Sequence, residues 1–312
     1  MQEVDIAIIG GGPAGLTAAL YTSRARASTV VFDSGMTGGQ IVTTEHVENY
    51  PGFPEGIAGP ELGRLMLEQA QRFGAFIEAF NSIESVGLDG IDFVLKTTED
   101  EEYRAKSLII ATGAVPKKLG VPGEAEFTGR GVSWCATCDG ALFRDKVVAV
   151  IGGGDAAVEE AIFLTKFARE VHLVHRRDEL RATKCIQERC FENDKIILHW
   201  SRAVAEIIGE NGKVSAIRLP STKADPDETI AVDGVFEFVG VDPKSDLVKH
   251  LVDCNEAGFI KTDHNGITTY PGIFAAGDVT DSELKQVVTA AGRGASAAFE
   301  ALRYIDARLC TI

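Results

Sequence analysis

Two glycine-rich turns, Gly10-Gly-Gly-Pro-Ala-Gly15 and Gly152-Gly-Gly-Asp-Ala-Ala157, lie 152 − 10 = 142 residues apart in this chain of 312. Each follows a short apolar run suited to a strand, Val4–Gly10 and Val147–Ile151. A stretch of helical composition comes next in both, Leu16 to about Arg26 and Val158–Phe167. A second apolar strand then follows, Thr29–Asp33 and Val171–Val174. Strand, glycine turn, helix and strand in that order form the dinucleotide-binding unit. The glycines serve a tight turn, the approach of backbone to pyrophosphate and close helix–strand packing. The helix N-terminus then faces the diphosphate. A chain with two such units is expected to be an α/β protein with two Rossmann-like dinucleotide-binding domains.

The two units differ where a nucleotide ribose would lie. Asp33 stands 33 − 10 = 23 residues after the first glycine, at a strand end, where a carboxylate accepts from ribose hydroxyls. The equivalent position in the second unit is 33 + 142 = 175, which is His175, followed by Arg176 and Arg177, with Arg181 one turn on. Guanidinium groups grip a 2′-phosphate that a carboxylate would repel. The second site is therefore expected to take NADPH and the first to suit FAD. Two later segments support FAD: Leu108-Ile-Ile-Ala-Thr112-Gly113, and Tyr270 through Gly277-Asp278, each an apolar strand ending in a tight turn. Their separation implies a discontinuous FAD-binding domain, residues 1–115 with 246–312, into which an NADPH-binding domain of residues 116–245 is inserted. Short proline-containing crossings, Ala114–Lys118 and Val241–Ser245, would join them.

Charge and targeting narrow the class. With 31 Lys plus Arg against 46 Asp plus Glu the formal net charge is −15, so nucleic acid is not an expected partner. The N-terminal residues show no basic region followed by an apolar stretch and a cleavage site, and no apolar run reaches the roughly 18 residues needed to span a bilayer. The expectation is a cytoplasmic protein, where thiols are kept reduced. There a Cys-x-x-Cys pair is catalytic or metal-binding more often than a staple. Cys135-Ala-Thr-Cys138-Asp139 is such a pair, close before the second glycine turn. A zinc site would need two further ligands. Cys185 and Cys190 are the nearest, but their spacing and charged helical setting fit poorly. At a helix start one thiol is acidified, and thiolate attack on a partner disulfide proceeds through a mixed disulfide. Asp139 is placed to carry a proton in that exchange or to cap the helix.

These landmarks, together with Gly38-Gly39-Gln40, Glu48-Asn49-Tyr-Pro-Gly52, Ala111-Thr-Gly113, His175-Arg-Arg-Asp178 and Gly277-Asp278 followed by Gln286, resemble the low-molecular-weight thioredoxin reductases over essentially the whole length. The resemblance implies an FAD-containing homodimer that uses NADPH to reduce the disulfide of thioredoxin. Carried over position by position, Gly10, Gly12, Gly15 and Asp33 match the adenosine-diphosphate site. Gly39, Gln40 and Asn49 match positions beside the isoalloxazine, as Thr112 and Gly113 match the family's small-residue turn. Asp278 matches the ribityl and diphosphate acid, and Gln286 and Val287 the backbone contacts to the flavin. Gly152, Gly154, Ala157, His175, Arg176, Arg177 and Arg181 match the NADPH site. Cys135, Cys138 and Asp139 match the catalytic set, with Cys138 as the flavin-side sulfur and attacker of the partner disulfide.

The chain departs from the family pattern in two places. Ala141-Leu142 stands where two aromatics often follow Cys-Asp-Gly, and Lys285 where arginine is common. The first leaves room for a different disulfide carrier, glutaredoxin-like or a peroxidase partner; a flavin-bound sensor without fast turnover is a further alternative. Other residues weighed are His46 near the Gly-Gly-Gln segment, His172 within a strand, Trp134 beside the dithiol, Arg130 as a docking charge, Arg293, the polar stretch Lys223–Thr229, and Cys310 near the C-terminus.

Overall fold

A computed structural model describes residues 1–44, 47–220, 226–282 and 284–309. His46, Cys310 and residues 223–225 of the Lys223–Thr229 stretch lie outside the described residues. The chain divides into two compact units, Met1–Val115 with Asp242 onward, and Pro116–Val241. Residues 242–245 belong with the first unit, where Lys244 N donates to Gly113 O at 2.9 Å and Thr112 Oγ1 donates to Lys244 O at 2.6 Å.

The first unit begins with β1 (Gln2–Ile9), α1 (Pro13–Arg24) and β2 (Thr29–Asp33), continues through α2 (Gly59–Arg72) and β3 (Phe76–Ala79), and adds β4 (Ile83–Asp89), β5 (Asp92–Thr97) and β6 (Glu102–Ile110). The inner strands are continuous buried runs, as in a parallel sheet covered on both faces; Ile6, Ala7, Ile8, Leu108, Ile109 and Ile110 are fully buried. The strand order is β3-β2-β1-β6-β5-β4, with β4 and β5 antiparallel additions at one edge. A short strand, β7 (Ala114–Pro116), leads into the second unit.

There α3 (Glu124–Phe127) and β8 (Val132–Ser133) precede α4 (Ala136–Asp139). The nucleotide-type core follows as β9 (Val147–Ile151), α5 (Asp155–Leu164), β10 (Glu170–Val174), α6 (Lys184–Phe191) and β11 (Ile196–His199). A meander of β12 (Glu206–Glu210), β13 (Lys213–Leu219) and β14 (Glu228–Ala231) comes before β15 (Gly234–Glu237), which closes the parallel order β11-β10-β9-β15-β8. The chain leaves along β16 (Val241–Pro243), which pairs with β7, so the two crossings run side by side. It ends with β17 (Ile273–Ala275), parallel to β6, and the long helix α7 (Val287–Leu309). Among the described residues no helix is long and apolar enough to cross a membrane.

Candidate functional site

In the first unit Gly10, Asp33, Gly113 and Asp278 follow or close the C-terminal ends of β1, β2, β6 and β17, the edge of an open parallel sheet where ligands bind. Gly10 has φ +109°, and a Cβ there would sit 2.2 Å from Ala111 O. A Cβ on Gly15 would lie 1.8 Å from Gly10 O, so α1 reaches the turn only because both positions lack side chains. Gly12 caps α1 without any side-chain hydrogen bond, leaving the first N–H groups of the helix for an anion. Asp33 is fixed by two amides: Gly11 N donates to Oδ2 at 3.0 Å and Gly35 N to Oδ1 at 3.2 Å. Burial nonetheless raises its pKa above the usual carboxylate range.

The remaining first-unit positions gather from distant parts of the sequence. Gly39 approaches Gly12 so closely that a Cβ would fall 2.9 Å from Gly12 Cα. Gln40 Nε2 donates to Ala114 O. Asn49 Nδ2 donates to Gln286 Oε1 at 2.9 Å, joining two segments 237 residues apart, with Val287 starting α7 immediately after. Asp278 is half-buried and its pKa is raised by burial, against the pull of Lys285. Lys285 Nζ donates to Asp278 O and Thr280 O at 3.1 and 3.3 Å, and Arg293 Nη1 donates to Thr280 Oγ1 at 3.4 Å.

The second unit repeats the arrangement with a basic turn, His175, Arg176 and Arg177, at the position of Asp33. Gly152 has φ +152°, and a Cβ there would strike Ala157 Cβ and Phe238 O, both at 2.6 Å. Gly154 caps α5 with no side-chain bond, and a Cβ there would meet nothing within 4 Å, so the helix N-terminus opens to solvent. His175 is 4% exposed and lies under Gly153, where a Cβ would come 2.3 Å from its Nδ1. Burial lowers its pKa first, and Arg181, Arg177 and Arg176 add to the effect, so three guanidinium groups converge around it. Arg176, Arg177 and Arg181 are exposed, and Arg181 N donates to Gly153 O at 2.7 Å. The imidazole is thus packing beneath the turn and the arginines are its solvent face.

Cys135 and Cys138 form a disulfide with Cα atoms 5.3 Å apart. Cys135 takes the N-cap position of α4, and Cys138 N donates to its Sγ at 3.1 Å. Asp139 is therefore not the cap. Its Oδ2 accepts from Ser133 Oγ at 2.6 Å, while Ser133 Oγ accepts from Cys135 N at 3.1 Å, so one hydroxyl ties acid and cysteine backbone together. Sequence reasoning passed over Ser133 because a serine two residues before a cysteine carries no signal of its own. Trp134 Nε1 donates to Glu237 Oε2 at 3.1 Å, a partner that spacing could not reveal.

The other residues weighed from sequence stand apart from these clusters. Cys185 is exposed on α6, and Cys190 is buried with its thiol pushed up to about 11, too high for a thiolate near neutrality. His172 is buried in β10, its Nδ1 2.9 Å from His199 Nε2 and its Nε2 2.8 Å from Glu170 Oε1. Arg130 is exposed and donates to Glu126 O at 2.5 Å.

The family described as pyridine nucleotide-disulphide oxidoreductase matches residues 4–294. The chain is 48% identical over 302 residues to a thioredoxin reductase of Bacillus subtilis (strain 168), covering 97% of this chain and 95% of that one. It is 49% identical over 313 residues to a thioredoxin reductase of Peptoclostridium acidaminophilum, covering 98% and 99%. The crystal structure of thioredoxin reductase from Streptococcus pyogenes MGAS5005 superposes with a TM-score of 0.91 at 45% identity, over 98% of this chain and 99% of that one.

Proposed function

This chain belongs to the pyridine nucleotide-disulphide oxidoreductase family and, within it, to the thioredoxin reductases, and we propose that it passes electrons from NADPH through FAD to the Cys135–Cys138 disulfide and on to thioredoxin. The residues fit both nucleotides. In the first unit, the uncapped N-terminus of α1, the amide-held Asp33 and the Asn49–Gln286 pair suit FAD. Gly10, Gly12, Gly15, Gly39, Gln40, Thr112, Gly113, Asp278 and Val287 complete that site in this reading. In the second unit, the open N-terminus of α5 suits a diphosphate, and the guanidinium face of Arg176, Arg177 and Arg181 suits a 2′-phosphate. Gly152 and Ala157 allow that turn, and His175 supports it from below. When bound, the two groups supply hydride transfer and a two-electron relay.

The chain's own part is the handling of sulfur and proton. Two electrons and two protons convert the Cys135–Cys138 disulfide to a dithiol. When the ring opens, Cys135 leaves as the thiolate, because Cys138 N already donates to its sulfur at the N-cap. Cys138 then passes its proton to Asp139 and attacks the partner disulfide, and the first partner sulfur departs as a thiol with that proton. The Cys135 thiolate attacks Cys138 Sγ, which restores the ring and releases the second partner sulfur as a thiolate that takes a proton from solvent. Asp139, oriented by Ser133, holds and returns the proton. A homodimer working in the cytoplasm completes this reading.

The observation that carries it is the disulfide at a helix N-cap with an oriented acid directly after its second sulfur. In the purified flavoprotein, Cys138→Ser should still be bleached by NADPH anaerobically and should lose all turnover with thioredoxin. Unchanged turnover would overturn the assignment. Leu142, 56% exposed where the aromatic pattern is missing, favours testing a second carrier. Faster turnover with a glutaredoxin-like protein than with a cognate thioredoxin would redirect the last step.

A further inference from the structure

Glu237 is an acid in the interior of the second unit that the reaction above does not use. It closes β15, whose four residues are all buried, and is itself 2% exposed. Its Oε2 accepts from Trp134 Nε1. Its Oε1 is buried with no ordinary donor in reach among the described residues. Beside it lies the carboxyl of Glu124, 3% exposed, whose two oxygens already accept Leu119 N at 3.2 Å and Gly120 N at 2.6 Å. Two carboxylates cannot satisfy one another; a single proton between them satisfies both. Since Glu124 has the amide partners of a carboxylate, Glu237 carries the proton and donates it. Burial, reinforced by Glu124, pushes Glu237 up to about 8.

The pair ties together segments that matter to the reaction. Trp134 directly precedes Cys135, and Ser133 before it orients Asp139. Downstream of Glu237, Phe238 N donates to Ile151 O, and Phe238 O is one of the two atoms that a Cβ at Gly152 would strike. Gly240 O then accepts from Lys117 N where the chain enters and leaves the unit.

We propose that Glu124 and Glu237 share one proton and act as positioning residues for the redox pair, holding Trp134 and the backbone of Ser133–Cys135 against β15 while the proton is present and releasing them when it is lost. The groups facing Glu237 are few. Glu124 comes from α3, Trp134 from the segment before α4, and Lys118 from the entering loop, where its charge favours the ionised form. Among the described residues the flanking strands, Val147–Ile151 of β9 and Val132–Ser133 of β8, add no charged side chain. Loss of the proton leaves two buried negative charges side by side, and their repulsion separates the acceptor from the indole.

The proposal rests on Cys135–Cys138 being the redox centre only for its kinetic readout. The chain has two tryptophans, so a Trp200→Phe background isolates Trp134 emission. In the oxidised holoenzyme without NADPH, that emission should titrate with a midpoint near pH 8. Adding Glu237→Gln, which cannot ionise but still accepts from the indole and donates to Glu124, should abolish the transition. It should also raise the ratio of turnover at pH 9 to turnover at pH 7 by about threefold or more, since an acid of this kind loses most of its proton across that range. Glu124→Gln serves as the second variant: by removing the neighbouring charge it should move the transition to lower pH, which tests the pair even if Glu237→Gln does not fold. Flat emission from pH 7 to 9.5 in the parent, or an identical titration in both variants, would overturn the proposal. Loss of thiol release at every pH with the emission transition intact would instead count against the redox assignment.

Discussion

Arg176 and Arg177 present their guanidinium groups to solvent while His175 lies beneath Gly153, so the residues of one basic turn have separate tasks. Arg176→Ala with Arg177→Ala should raise KM for NADPH about 10–100-fold, since a charged hydrogen bond contributes roughly 1.5–3 kcal/mol. KM for NADH should change little, and steady-state kinetics with both nucleotides checks the pair of outcomes. At the dithiol, Asp139→Asn removes the proposed proton carrier but keeps an acceptor for Ser133. Disulfide turnover should fall about 100-fold or more while anaerobic bleaching by NADPH persists, which rapid-mixing absorbance separates. The position of Asp33 at the end of β2 was legible because its offset from the first glycine is fixed by the fold, and the same offset led to the arginine turn. Glu124 and Glu237 were not, because an acid's partner across a sheet leaves no trace in spacing. The signal available was a charge inside an apolar run, Val235-Phe-Glu237-Phe-Val239, where strand alternation should have placed an aliphatic residue.

Among the elements, α1 must come close to the sheet edge for its N-terminus to meet a diphosphate, and α7 holds it there. The contact uses absent side chains: a Cβ on Gly294 would lie 2.1 Å from Ala14 O, and one on Gly277 would lie 2.9 Å from Ala14 Cβ. Gly294→Ala therefore forces two helix backbones apart and cannot be absorbed by a rotamer change. A loss of about 1–3 kcal/mol is expected, with a Tm roughly 2–12 °C lower. Flavin release should precede or accompany unfolding, because the displaced helix is the one offered to the diphosphate; flavin fluorescence during a thermal ramp reads both. The strand–turn–helix units were legible because their glycines and periodicities agree. The antiparallel meander β12–β14 was not, since its strands are short and their pattern alone does not separate edge strands from loops.

At the scale of the molecule, the second unit is one uninterrupted stretch of 241 − 116 + 1 = 126 residues with two apolar clusters of its own, one around Val148, Leu164 and Phe236 and the other around Val132, Ile207 and Ile217. That is a size at which single domains fold by themselves. Expressed alone, residues 116–241 should fold, form the Cys135–Cys138 disulfide and bind NADPH, yet be unable to use it, because the proposed function assigns the flavin to the other unit. Calorimetric binding beside a thiol-release assay checks both halves; disulfide reduction by NADPH in the isolated unit would refute the division of labour. Its stability should also carry the signature of its buried groups. Glu237, at about 8, and Glu160, raised by burial and then Glu159, hold protons in the folded state that the unfolded chain has lost above about 4.5. The folded state therefore binds more protons, and stability falls as pH rises toward 8. His175 and His199 are lowered, both mainly by burial, so their contribution is lost as pH falls below about 6.5 and is fully present above it. Below pH 6.5 the two effects oppose; from 6.5 to 8 the loss is carried by Glu237, and the unit should lose about 1–2 kcal/mol. Urea unfolding at pH 6.5 and 8 measures that loss, and Glu237→Gln should remove most of it, because an amide has no proton to surrender on the way up.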